Sequence, residues 1–273
     1  MKNKLPDYLL SGGSDTAVLF IHGLGGSHKT WNKFSHTLSA TWQGEESFSL
    51  EYDEYYADSY NIPFLSFIYK SITGSNIEDL AKHLKSIINT VCKKYKNVIL
   101  VCHSMGGLIA RKFIINELKS EKTLGNIKGL ITYATPHHGS KLANIAKAIF
   151  HDTTAAMLYL RKFLQIRDLS YNSDFINELN HDWSIFNVNN KLKFLRVVGL
   201  ADAIVSVESA ELASDRNVFT FANKGHFSII KPHKLIKDGA LMVTHNFLQD
   251  FRKDLEKQEL LEMEYEEEDK YEY

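Results

Sequence analysis

Three observations predict an α/β fold, a mostly parallel sheet with helices on both faces. Short apolar runs recur along the chain, helix-period segments separate them, and at Ser104 one such run turns directly into a helix. The first run, Thr16 to His22, is nearly continuous in apolar residues and leads into Gly23-Leu24-Gly25-Gly26-Ser27, which reads as a strand buried on both faces followed by a glycine loop. Phe48 to Asp53, Asn97 to His103, Gly129 to Ala134, Lys193 to Gly199 and Asn217 to Phe221 read as further strands. Between them, Ile77, Leu80, Ala81, Leu84, Ile87, Ile88 and Val91 recur at helical spacing, as do Leu108, Ile109, Phe113 and Leu118. Strands alternating with helices imply right-handed crossovers, and chemistry in such sheets collects at the carboxyl ends of the strands.

Two stretches exceed this alternation. Tyr52 to Tyr69 is crowded with aromatics, and either packs against the body or forms a lid or an acyl-binding wall. Residues 136–190 form a long helical insertion between the fourth and fifth strands, expected to act as a lid or cap. A chain of 273 residues with 44% hydrophobic content can bury one large core, so residues 1–255 are expected to form a single domain. Residues 256–273 turn into a run of Glu, Asp and Tyr, expected to be a frayed helix end or disordered.

The charge balance narrows the partners. With 32 basic and 33 acidic residues the net charge is −1, which leaves no broad field to attract nucleic acid. The lysines of the N-terminus precede no apolar signal-like core, and no run approaches the length of a membrane span. Two cysteines, Cys92 and Cys102, suit a reducing compartment. These features predict a cytoplasmic protein whose contact with a membrane, if any, is transient and at the surface.

The segment Val98-Ile99-Leu100-Val101-Cys102-His103-Ser104-Met105-Gly106-Gly107-Leu108 has the form that presents a nucleophile, a strand, a sharp turn carrying a serine, and a helix whose first N–H groups point at developing negative charge. Gly106 allows the helix to pass close to the strand. Cys102 stands where the G-x-S-x-G pattern has glycine, which predicts some strain or a wider turn. Asp202 follows the fifth strand, where a carboxylate can orient an imidazole; Asp215, its nearest competitor, precedes a strand and so lies at the wrong end of a parallel sheet. His226 follows the last strand, completing the chain order serine, acid, histidine. With 12 histidines in the chain, position and not abundance singles it out.

Other histidines are read as structural. His103 must face away from Ser104 because consecutive strand residues alternate. His22 shapes the glycine loop, and His137 and His138 line or support a strand end; further ligands at metal-binding spacing are lacking, so no metal is expected. An oxyanion needs two fixed N–H donors, and Leu24 in the glycine loop and Met105 at the helix start are placed to supply them. The glycine loop lacks both the G-x-G-x-x-G spacing and the phosphate-loop lysine, which argues against a nucleotide.

These residues resemble the α/β-hydrolase superfamily over about the first 230 positions, and more closely the lipase-like serine esterases that include the SERAC and PGAP groups. His22-Gly23-Leu24-Gly25-Gly26 with Lys29-Thr30-Trp31, His103-Ser104-Met105-Gly106-Gly107-Leu108, and Ala134-Thr135-Pro136-His137-His138-Gly139-Ser140 are similar to three motifs of those esterases, in the same order. The resemblance implies an α/β-hydrolase fold, a cofactor-free esterase or lipase acting through Ser104, Asp202 and His226, and a small ester or lipid as substrate. An acyltransferase using the same site and a catalytically degenerate binding module remain the alternatives, the latter supported by Cys102 and the acidic tail alone.

Overall fold

The computed structural model describes residues 15–24, 26–43, 56–57, 63–67, 75–141, 167–212, 217–232 and 238–269. In chain order the elements are β1 (Thr16–Ile21), α1 (Asn32–Gln43), β2 (Tyr56–Ala57), β3 (Pro63–Phe67), α2 (Ile77–Thr90), β4 (Asn97–His103), α3 (Met105–Ser120), β5 (Ile127–Tyr133), α4 (Asp174–Ile185), β6 (Lys193–Gly199), α5 (Val207–Glu211), β7 (Val218–Phe221) and α6 (Gly239–Asp269). Among the described residues seven strands form one sheet in the order β2-β3-β1-β4-β5-β6-β7, parallel throughout except for β2, which pairs antiparallel with β3.

The central strands are buried on both faces because they are apolar on both faces. All seven residues of β4 are buried, and the sheet divides the interior into two layers. On one side Leu19, Leu100 and Cys102 meet Leu84 of α2, Leu108 and Phe113 of α3, and Trp183 of α4. On the other, Phe20, Val101, Ile131 and Tyr133 meet Trp31, Phe34 of α1 and Phe247 of α6. Each fully buried aliphatic or aromatic side chain contributes about 1.5–3 kcal/mol relative to exposure, so these two layers hold the strand ends in fixed relative positions. Helix α2 begins with a reciprocal cap between Asn76 and Asp79, with Glu78 and Asp79 in the first turn favourable to the helix dipole.

The register brings the carboxyl ends of the strands together: Ile21 lies beside Cys102, Cys102 beside Thr132, Tyr133 beside Val197, and Gly199 beside Phe221. Five expected strands appear within a residue or two of their predicted limits. The strand expected at Phe48 to Asp53 lies outside the described residues. The strand neighbouring β1 is Pro63–Phe67, inside the aromatic stretch read as packing or wall; proline at its first position removes no interior ladder donor.

Residues 136–190 divide into parts with different roles. Helix α4 buries Ile176, Leu179 and Trp183 in the α2–α3 layer, so it belongs to the body, not to a cap. Its amphipathic spacing serves the core because a body helix and a cap helix bury the same kind of stripe. The chain between Ser140 and Ser170 leaves and returns through a narrow neck, where Ser140 N–H donates to Leu169 O at 2.8 Å and Tyr171 N–H to Ser140 O at 3.1 Å. Residues 142–166, where the remainder of the expected cap falls, lie outside the described residues. Helix α6 runs on to Asp269, through most of the acidic segment expected to fray. Among the described residues no helix is long and apolar enough to cross a membrane.

Candidate active site

Ser104 stands between β4 and α3 with φ 53° and ψ −127°, a left-handed conformation that costs a non-glycine residue on the order of 1–3 kcal/mol. Several contacts hold it there. Its N–H donates to Tyr133 O at 2.9 Å, and its carbonyl accepts from Gly107 N–H and from the Thr135 hydroxyl, each at 3.0 Å. The turn also needs the absence of side chains around it. A Cβ on Gly106 would lie 2.6 Å from His22 O, and one on Gly23 would lie 2.7 Å from Ser104 Cβ. Cys102 is fully buried in the sheet ladder and carries no left-handed backbone, so the strain falls on Ser104 itself and not on the position where glycine was expected. Burial pushes the Cys102 thiol well above its ordinary pKa, which keeps it protonated and unreactive.

The structure brings the three sequence-predicted side chains together. Ser104 Oγ lies 3.0 Å from His226 Nε2, and His226 Nδ1 lies 2.9 Å from Asp202 Oδ2. An ionised carboxylate only accepts, so Nδ1 carries the imidazole proton and donates it to Asp202; Nε2 is then the bare nitrogen that accepts from the serine hydroxyl. The His226 and Asp202 side chains are 6% and 3% exposed, so their interaction is screened little by solvent. The other oxygen of Asp202 accepts from the N–H groups of Ile204 at 2.8 Å and Val205 at 2.9 Å, which fixes the carboxylate plane. The side chain of Ser104 makes no capping bond to α3, and Met105 opens the helix, whose N-terminal end carries the positive end of the dipole.

Leu24, expected from the sequence to be an oxyanion donor, is in a turn closed by Gly26 N–H to Gly23 O at 3.1 Å, immediately after the glycine that abuts Ser104. The Leu24 side chain packs against the core, which anchors the turn. His22 Nδ1 lies 2.9 Å from Gly23 O, the loop-shaping contact expected of it. His137 is fully buried, with Nδ1 3.1 Å from Arg111 Nη1 and Nε2 3.3 Å from the Thr132 hydroxyl; burial and the neighbouring guanidiniums hold its pKa far below the ordinary value. The same burial, with Arg196 nearby, lowers Arg111 to about 9, so it remains a cation at neutral pH. Among the described residues no group of three or more His, Cys, Asp and Glu could hold a metal ion. Asp215 lies outside the described residues.

Sequence reasoning missed two supports. The segment His137 to Ser140 docks the acid loop: Ser209 Oγ donates to Gly139 O at 2.6 Å, and the Ser140 hydroxyl donates to Ile204 O at 2.6 Å. Lys224, in the loop that delivers His226, pairs with the buried Asp238, whose Oδ1 accepts the N–H groups of Ala240 and Leu241 at the start of α6. Neither pairing has a local sequence signal, because each joins loops far apart in the chain.

A parallel sheet carrying a strained serine after its central strand, with an acid and a histidine after two later strands, is the arrangement of the α/β-hydrolase fold. Phospholipase PlaB from Legionella pneumophila superposes with a TM-score of 0.55 at 18% identity, over 72% of this chain and 45% of that one. Bacillus licheniformis lipase BlEst2 in its mature form gives 0.53 at 20% identity, over 79% and 86%. The chain belongs to the PGAP1-like alpha/beta domain family, whose model matches residues 12–218. Protein SERAC1 of Homo sapiens is 28% identical over 92% of this chain and 41% of its own length, and GPI inositol-deacylase of Xenopus laevis is 24% identical over 80% and 22%. The chain therefore spans about two-fifths of the length of the SERAC1 relatives it matches.

Proposed function

We propose that the protein is a serine ester hydrolase in which Ser104 is the nucleophile, His226 the general base and acid, and Asp202 the residue that orients and charge-balances the imidazole. The observation that carries this reading is the buried, continuous hydrogen-bond chain from Ser104 Oγ through both nitrogens of His226 to Asp202. As the serine oxygen attacks an ester carbonyl, its proton passes to His226 Nε2, and the imidazolium is stabilised by Asp202. The carbonyl oxygen becomes an oxyanion held by the N–H groups of Leu24 and Met105. His226 returns the proton to the leaving alcohol. Water, activated by the same imidazole, then cleaves the acyl-enzyme and restores Ser104.

An acyl ester of a lipid is the substrate class this reading favours. Its supports are the family relative named for removing an acyl group from GPI inositol and the fold shared with a phospholipase and a lipase. The cap over the acyl chain is the role this reading keeps for the 136–190 insertion apart from α4. A fluorophosphonate probe tests the reading: it is expected to label the wild type and not Ser104→Ala, while nitrophenyl esters of increasing chain length followed by phospholipids define the acyl preference. Equal labelling of both proteins rejects Ser104 as nucleophile.

A further inference from the structure

His103, expected from strand alternation to turn away from Ser104, nevertheless reaches the base. Its Nε2 lies 2.8 Å from the main-chain oxygen of His226, and the two imidazole rings stand 4.8 Å apart. A carbonyl accepts and never donates, so Nε2 carries the His103 proton. Burial, assisted by the nearby His226 ring, holds the His103 pKa well below its ordinary value; the ring is neutral, and its single N–H is committed to this carbonyl.

We propose that His103 is a positioning residue for the base, gripping the main chain of His226 so that its Nε2 stays within reach of Ser104 Oγ. The proposal rests on the triad reading above. Its warrant is the shortness of the circuit: two adjacent residues at the end of β4 hold His226, one by its backbone and one by its ring. The two residues before His226 are tied elsewhere, Lys224 O accepting from Ala201 N–H and Gly225 N–H donating to the Ser228 hydroxyl, while Asp202 holds the ring and His103 the main chain of His226 itself. The T-shaped packing of Phe227 on the His226 ring limits its tilt but not its distance from β4. A neutral His103 also suits the chemistry, since a second cation this close would oppose formation of the imidazolium.

The test compares the rate of fluorophosphonate labelling, and kcat and KM on a soluble nitrophenyl ester, among full-length wild type, His103→Leu, His103→Gln and His103→Asn. The glutamine amide nitrogen is as many bonds from Cα as the histidine Nε2, and the asparagine nitrogen is one bond short. Leucine and asparagine are expected to slow labelling and lower kcat by roughly 10- to 100-fold with KM little changed, the scale of a displaced catalytic group, while glutamine stays close to wild type. Wild-type labelling by His103→Leu, or equal rates for the glutamine and asparagine variants, overturns the proposal; the second comparison stands even where the leucine variant does not fold. Labelling of Ser104→Ala, or of His226→Ala at the wild-type rate, would instead bring down the triad reading, and is read independently of any His103 variant.

Discussion

Helix α3 approaches β1 so closely at Gly106 that a single methyl group there tests how tightly the serine turn is positioned. In Gly106→Ala the new Cβ would lie 2.6 Å from His22 O and 2.7 Å from Ile21 O. Both oxygens belong to the main chain at the end of the first strand and cannot swing aside as a side chain would. The nearer contact falls about 0.8 Å short of the 3.4 Å at which ordinary contact begins, so the helix start must retreat by most of that distance. Ser104 lies two residues upstream and retreats with it, while His226 stays tied to His103 within the sheet and to Asp202. A displacement near 1 Å costs about 10²-fold in rate, so labelling by a fluorophosphonate is expected to slow by roughly 10- to 100-fold. Two effects oppose each other in stability. Alanine gains about 1 kcal/mol over glycine in a helix, and overpacking costs about 1–3 kcal/mol. Against immovable backbone the second wins, and urea denaturation should show a net loss of up to about 2 kcal/mol. Gly125→Ala is the matched comparison: its Cβ meets nothing within 4 Å but its φ is +56°, so it should lose stability by strain alone and leave labelling unchanged. A Gly106→Ala protein that labels at the wild-type rate would refute the reasoning.

Two further outcomes follow from the hydrogen-bond assignments. In Asp202→Asn the amide oxygen is expected to keep the Ile204 and Val205 N–H groups, which turns the NH2 toward His226 Nδ1 and forces the proton onto Nε2; labelling should then fall by about 10⁴-fold, as for the same exchange in a serine protease, and a loss under tenfold would contradict the tautomer assigned here. His103 and His137 are buried with pKa values depressed below those of the unfolded chain, so the unfolded state takes up protons first on acidification. Their contribution is complete above about pH 6.5 and declines below it by about 1.4 kcal/mol per pH unit for each histidine, down toward the folded-state values. Urea midpoints that stay level between about pH 6.5 and 5 would be inconsistent with two neutral buried imidazoles.

The strands β1, β4 and β6 were legible because a strand buried on both faces has little room for anything but apolar residues, and each such run ends in a turn signal. The positions of Ser104, Asp202 and His226 at strand ends were legible for the same reason: topology, not local geometry, orders them. The outer strand Pro63–Phe67 was not, since a short aromatic run beside other aromatics reads equally as strand, wall or packing. Helix α4 carried the apolar stripe of any amphipathic helix, and the sequence does not say which surface the stripe covers. The length of α6 was underread because the acidic run drew attention to charge, while Glu, Leu and Met are good helix formers. The hydrogen bond from His103 to His226 joins residues 123 apart, a distance over which no periodicity speaks.

The tie between Lys224 and Asp238 bears on where this module can be cut. The family match ends at residue 218, ahead of His226, so a fragment trimmed to it would retain a serine and a carboxylate with no imidazole between them. Stopping soon after His226 would remove Asp238, and with it the lock on the loop from α6. A piece that keeps the core layer over β5 extends into α6 at least as far as Phe247, whose ring lies so close over Gly129 that a Cβ there would stand 2.5 Å from it.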